Sequence, residues 1–149
     1  MAVGAYIFDI DGTLADCSAR VEEYLGECKN WDEFYAHCDE DKRIDDVMMV
    51  LAQLRRLYIP LFVTGRPERC RQKTRQWLAE HGISGIKDEQ IFMRADNDHR
   101  QDYIFKKEVY EKHIKGKYKI MGVFEDRDQC VDMWRSLGLT CFQVCDGSY

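Results

Sequence analysis

Two aspartates stand two apart in Asp9-Ile10-Asp11-Gly12-Thr13, directly after the apolar run that begins at Val3. In extended chain, side chains two apart point to the same side, so both carboxylates can face one site. Gly12 lets the chain turn sharply there at little steric cost. Two such acids repel each other, and a bound cation would offset that repulsion. The segment alone is also compatible with a turn carrying incidental acids, or with a calcium loop. A calcium loop of the EF-hand type needs further acids and a late Glu within twelve residues, whereas Thr13-Leu14-Ala15 follows here. Three further segments carry reactive side chains: Thr64-Gly65-Arg66, Lys106, and Glu125-Asp126.

The elements that position these residues follow from periodicity. Val3–Ile10 reads as a short buried strand. Ile44, Val47, Met48, Leu51, Leu54 and Leu57 recur at steps of three and four and predict a helix. Tyr58–Val63 is a second apolar run, bounded by Thr64-Gly65-Arg66-Pro67. Pro67 suits the first turn of a helix, where its missing N–H costs nothing. That helix carries Cys70, Thr74, Trp77, Leu78 and His81 on one stripe and stops at Gly82. Gln90–Met93 reads as a strand, Asp102–Ile114 as a helix broken by Gly116, and Lys119–Phe124 as a strand. Gln129–Leu137 reads as a helix ended by Gly138, and Thr140–Val144 as a last strand. Strands alternating with helices predict an α/β fold: a Rossmann-like parallel sheet with helices on both faces. In such folds ligands gather beyond the carboxyl ends of the strands. Asp9–Thr13, Thr64–Arg66 and Glu125–Asp128 occupy those ends.

Composition bounds the rest. The 149 residues suit a single domain spanning 1–149, and 45% hydrophobic residues suffice for a core. No linker, repeat or low-complexity tract is visible. A net charge of −5 argues against a dedicated binder of long nucleic acid, though not against an enzyme that grips terminal phosphates. The run Arg66–Arg75 is locally basic, either as a solvated helix face or as a landing strip for a nucleic-acid backbone. Seven cysteines without zinc spacing predict free thiols in a reducing cytoplasm, and no apolar span long enough for a membrane occurs.

An apolar strand followed by Asp-Ile-Asp-Gly-Thr-Leu resembles the first motif of the haloacid dehalogenase superfamily of phosphotransferases. Thr64-Gly65-Arg66 resembles the second motif, Lys106 the third, and Glu125-Asp126 the fourth, in the order and at the structural places that superfamily has. The stretches Arg100–Lys106, Val123–Arg127, Val131–Arg135 and Gly138–Val144 are similar to the phosphatase domain of the phage polynucleotide kinase-phosphatases. The resemblance covers nearly the whole chain. No phosphate-binding loop of the kinase type, G-x-x-x-x-G-K-[ST], is present.

The resemblance implies a magnesium-dependent phosphatase with an aspartyl-phosphate intermediate. Asp9 would be the nucleophile and Asp11 the general acid and base. Lys106, with the Thr64 hydroxyl and nearby N–H groups, including that of Gly65, would offset phosphoryl charge. Magnesium would be held by Asp9, the backbone carbonyl of Asp11, and Asp126. Glu125, where the phage enzymes carry a second aspartate, would be a less direct ligand. Arg20, Arg66 and Asp102 match residues that hold the substrate or the catalytic groups, and Asp102 and Lys106 are spaced to pair on one helix. The implied substrate is the 3′-phosphorylated end of DNA or RNA, with 2′,3′-cyclic phosphate as an extension, and a kinase or ligase partner acting in trans. The stretch from Asp16 to Asp45 leaves room for little or no cap. The motifs alone equally support a small-molecule or nucleotide phosphatase on the same scaffold.

Overall fold

A computed structural model describes residues 2–147. Five parallel strands form its sheet in the order β5-β4-β1-β6-β7. They are β1 (Val3–Phe8), β4 (Ile59–Pro67), β5 (Ile91–Arg94), β6 (Tyr118–Glu125) and β7 (Cys141–Gln143). A two-stranded ribbon pairs β2 (Ala15–Asp16) with β3 (Lys42–Arg43) antiparallel. The helices are α1 (Ser18–Leu25), α2 (Trp31–Ala36), α3 (Asp45–Leu54), α4 (Arg71–Glu80), α5 (Asp102–Val109) and α6 (Asp128–Ser136).

Side-chain alternation along the central strands divides the core into two layers. Phe8 and Phe62 pack with Met48, Leu51, Trp77 and Leu78 from α3 and α4 on one face. Ile7, Leu61 and Val63 pack with Phe105, Val109, Val131 and Trp134 from α5 and α6 on the other. Strands covered on both faces need continuous apolar runs, which is why β1 and the first half of β4 stood out in the sequence.

Three boundaries differ from the periodicity. The 44–57 pattern ends as a helix at Leu54, and Leu57 is largely exposed. β4 does not stop at Val63 but continues extended through Thr64-Gly65-Arg66-Pro67. Pro67 therefore has ψ 157° and precedes a short 3-10 turn rather than opening a helix. The motif rides on the end of the strand, where Arg66 bonds inward to Asp11 and the Gly65 carbonyl accepts from Arg94. Asp102–Ile114 is helical throughout, but its last five residues form a π-turn. Gly82 and Gly138 stop their helices at φ 93° and 81°, the left-handed conformation in which glycine avoids a Cβ penalty.

Between β1 and α3 lies an excursion that periodicity did not show. The β2–β3 ribbon carries α1 and α2 out over the carboxyl ends of the strands, a small helical cap. Asn30 caps α2 by accepting from the Glu33 N–H at 3.2 Å. Among the described residues, no helix is long and apolar enough to cross a membrane.

Candidate active site

β1 delivers Asp9 and the turn that follows. Gly12 takes φ 85°, and the N–H groups of Thr13, Leu14 and Ala15 all point to the Ile10 carbonyl at 2.8–3.1 Å. This tight loop drops Thr13 beneath the acids. Its hydroxyl lies 3.0 Å from Asp9 Oδ2 and 3.2 Å from Asp126 Oδ1, shared between them.

Lys106 comes from α5, on the far layer, and is fully buried. Its Nζ donates to Asp9 Oδ1 at 2.8 Å and Glu125 Oε2 at 2.9 Å, and lies 3.0 Å from Asp102 Oδ2. Glu125 and Asp126 close β6. Glu125 Oε2 also faces the Trp134 indole N–H at 3.4 Å, and Oε1 accepts from the Asp126 N–H at 3.1 Å. Carboxylate oxygens of Asp9, Glu125 and Asp126 lie within 4.8 Å of one another. Burial pushes the Asp9 carboxyl well up, Glu125 pushes it further, and Lys106 only partly opposes. Lys106 itself is held well above its ordinary value: burial works against its charge, but Asp102, Asp9 and Glu125 outweigh it. Asp9, Glu125 and Asp102 share Lys106, Arg94 also serves Asp102, and the carboxylates of Asp9, Glu125 and Asp126 converge. An all-oxygen set of this kind suits a hard divalent cation such as magnesium.

Asp11 turns away from that cluster. Arg66 grips it at two points, Nη2 to Oδ1 at 2.6 Å and Nε to Oδ2 at 3.0 Å. Arg20 Nη2 donates to the same Oδ1 at 2.7 Å. Burial would raise the Asp11 carboxyl, but the two guanidiniums outweigh burial and hold it below the ordinary carboxylate value. Both arginines are buried and are themselves anchored. Arg66 donates to Thr74 Oγ1 at 3.0 Å. Arg20 forks onto Asp41 at 2.7 and 2.5 Å and reaches the Phe34 carbonyl at 2.7 Å.

Of the residues singled out in the sequence, Asp9, Asp11, Thr64, Gly65 and Asp102 line one cleft of about 510 Å³. Arg20 and Arg66 stand behind Asp11 and hold its carboxylate; neither lines the cleft. Asp102 holds Lys106, and its carboxylate crosses directly over Gly65, where an added Cβ would collide with it. Within Arg66–Arg75 the cations are paired: Arg69 with Asp32, Arg71 with Glu68, Lys73 with Asp39 and Arg75 with Asp88. Arg69 alone of these enters the cleft lining.

Thr13, Asp41 and Arg94 join the site without a role legible in the motifs. Arg94 ends β5, donates to the Gly65 carbonyl at 3.1 Å and to Asp102 Oδ1 at 3.0 Å, and lines the cleft. Its place at a strand's carboxyl end was the signal that could have found it. Asp41 carried none, since its partner Arg20 is 21 residues away in a segment without readable elements.

Comparison with known proteins places the chain. A family model described as the polynucleotide kinase PNKP phosphatase domain matches residues 3–149. The chain is 32% identical over 144 residues to a protein of Autographa californica nuclear polyhedrosis virus assigned as a bifunctional polynucleotide kinase/RNA ligase; the match spans 95% of this chain and 19% of that one. It is 35% identical, with a TM-score of 0.86, to a chain of the Pnkp1/Rnl/Hen1 RNA repair complex, spanning 99% of this chain and 44% of that one. A haloacid dehalogenase-like hydrolase of Streptococcus pneumoniae shares the fold, with a TM-score of 0.65 at 14% identity over 95% of this chain and 84% of that one. The chain belongs to the family of polynucleotide kinase PNKP phosphatase domains, on the haloacid dehalogenase fold, and is a phosphatase domain. It spans less than half the length of the first two of these relatives.

Proposed function

We propose that this domain is a magnesium-dependent polynucleotide 3′-phosphatase that works through an aspartyl-phosphate on Asp9. The observation that carries the reading is the position of the Asp9 carboxylate at the base of the cleft. Lys106 and Thr13 fix its two oxygens, while the donor atoms of Glu125 and Asp126 lie beside it.

Asp9 attacks phosphorus, and the bond from phosphorus to the 3′ oxygen breaks as the new acyl-phosphate bond forms. Asp11, which the two guanidiniums keep ionised in the free site, takes up a proton as the phosphate's negative charge arrives beside it and gives that proton to the departing 3′ oxygen. A water then loses its proton to Asp11 and attacks the phosphoryl group, which leaves as inorganic phosphate and restores Asp9. The arginine grip keeps Asp11 in one orientation through both steps. Thr64 Oγ1 accepts from the Arg66 N–H at 3.2 Å, which leaves its own O–H to donate to a phosphoryl oxygen. Lys106, held by Asp102 and Glu125, offsets the charge that the phosphoryl group brings. Asp9, Asp126 and the Asp11 backbone carbonyl would hold magnesium, with Glu125 closing the acidic set and positioning Lys106. Such an ion supplies further neutralisation of the phosphoryl oxygens.

The polynucleotide substrate is supported by the family and by the viral relative, assigned as a polynucleotide kinase/RNA ligase. A kinase or ligase acting on the same ends fits that company, and it would reside in a longer chain or in trans. The seven free thiols suit a reducing compartment.

The test is phosphate release from a 3′-phosphorylated oligonucleotide, its 5′-phosphorylated twin and a 3′-mononucleotide, each with magnesium and with EDTA. Magnesium-dependent release from the 3′-phosphorylated oligomer above the other two is expected. Equal or faster release from the mononucleotide would move the substrate to small molecules.

A further inference from the structure

The small cap presents an unusual surface to the cleft. Of the three tryptophans, Trp77 and Trp134 are fully buried, whereas Trp31 at the start of α2 is 48% exposed and lines the same cleft as Asp9 and Asp11. Val21, 38% exposed on α1, lies in that lining as well. An apolar surface open to water inside a catalytic cleft is a binding surface by default.

Trp31 is braced rather than loose. Its ring meets the edge of Phe34 at 5.6 Å and 82°, and lies against Tyr35 at 5.9 Å and 27°. Phe34 is in turn covered by the Arg20 guanidinium at 4.3 Å from the ring centroid. This is the arginine that holds Asp11. The platform and the acid/base group are therefore linked through one side chain.

We propose that the Trp31 indole is the stacking platform for the 3′-terminal nucleobase, so that the site selects an end whose last nucleotide is unpaired. This rests on the 3′-phosphatase reading and specifies which ends it accepts. A flat exposed indole offers a π-face that every base can use, which gives affinity without base identity. The cleft's volume of about 510 Å³ lies within the range of a pocket for one small ligand, which gives room for a terminal nucleotide. Arg69, Arg94 and Arg100 also line the cleft, each paired with an aspartate of the same lining, Asp32, Asp102 and Asp98.

The experiment compares wild type, Trp31→Ala and Trp31→Phe on four substrates in magnesium. They are a single-stranded 3′-phosphorylated oligonucleotide, the same strand in a blunt duplex, the same strand ending in an abasic 3′-phosphate, and glycerol phosphate. Trp31→Ala is expected to raise KM for the base-bearing single strand roughly 5- to 150-fold, the range of one lost base–aromatic stack. It should leave the abasic end and glycerol phosphate within about twofold, and Trp31→Phe should recover most of the loss. Wild type should prefer the single strand to the blunt duplex. Quenching of tryptophan emission by a 3′-hydroxyl oligonucleotide, present in wild type and lost in Trp31→Phe, reads the same contact without catalysis. Equal losses on base-bearing and abasic ends, or equal rates on duplex and single strand, would overturn the inference alone. Wild type that hydrolyses glycerol phosphate but no oligonucleotide would overturn the 3′-phosphatase reading and this inference together.

Discussion

Arg66 and Asp11 form a two-point ion pair, 2.6 Å at Nη2 and 3.0 Å at Nε, in which the arginine has no exposed surface. The pair turns a flexible carboxyl into a fixed one. A lysine carries the same charge but cannot form the fork. Arg66→Lys should therefore lower kcat for a 3′-phosphorylated oligonucleotide, by up to the roughly 10²–10⁴-fold that acid–base catalysis supplies. A substrate with a good leaving group, such as p-nitrophenyl phosphate, needs little protonation and should lose much less. Equal losses on both substrates would mean that Arg66 acts by some route other than orienting Asp11.

Asp9→Asn separates chemistry from stability. The amide cannot serve as nucleophile, so turnover should vanish. Because burial and Glu125 raise the Asp9 carboxyl, its ionised form opposes folding at neutral pH in the absence of a cation. In EDTA the variant should therefore melt no lower than wild type. Saturating magnesium should raise the wild-type melting temperature, by linkage worth about 2.7 kcal/mol at a hundredfold excess over Kd, and should raise that of the variant much less. Measurable turnover, or an undiminished magnesium shift, would remove Asp9 from both roles.

Gly65→Ala tests a close approach. The new Cβ would collide with the Asp102 carboxylate, whose Oδ2 holds Lys106 at 3.0 Å and whose Oδ1 holds Arg94 at 3.0 Å. Overpacking of this kind costs about 1–3 kcal/mol. A displacement near 1 Å of positioning groups costs about 10²-fold in rate. Thermal melting and kcat measured together should show a modest loss of stability beside a large loss of rate. Wild-type kinetics would show that Asp102 can move without disturbing Lys106.

His37 gives the cap a pH dependence away from the acids of the site. The hydrogen bond from His37 to Glu40 at 2.6 Å raises its pKa, burial slightly opposes, and Glu33 adds to the rise. A raised value means that the folded state favours the imidazolium. The stabilisation is full below the ordinary histidine value of about 6.5 and disappears as pH rises through the higher folded value. An NMR titration should place His37 above that ordinary value, and Glu40→Gln should bring it down. No change in Glu40→Gln would show that the pair does not form in solution.

How much of this could be read from the chain alone depended on where each side chain does its work. Asp9, Asp11, Thr64, Lys106 and Asp126 sit at strand ends or on a periodic helix, and their spacing within local motifs survives in any fold that keeps the elements. The buried runs of β1, β4 and β6 were legible for the same reason, since a sheet covered on both faces demands unbroken apolar sequence. The cap helices were not. α1 and α2 have eight and six residues, and part of their apolar surface faces the cleft instead of the core, so the helical period is broken. The family resemblance assigned Arg20 and Arg66 to the site but could not say whether they meet the substrate or Asp11. That depended on distance in space: Arg66 is 55 residues from Asp11, and the fork forms because β4 stays extended past Val63. Asp41 and Trp31 lay outside the motifs with nothing local to mark them, and Arg94 was marked only by its place at the carboxyl end of β5. Sequence determined which functional groups the site owns, because chemistry resides in residue types. Only tertiary structure decided which groups touch, because a carboxylate's pKa and orientation are set by neighbours that the chain brings from far away.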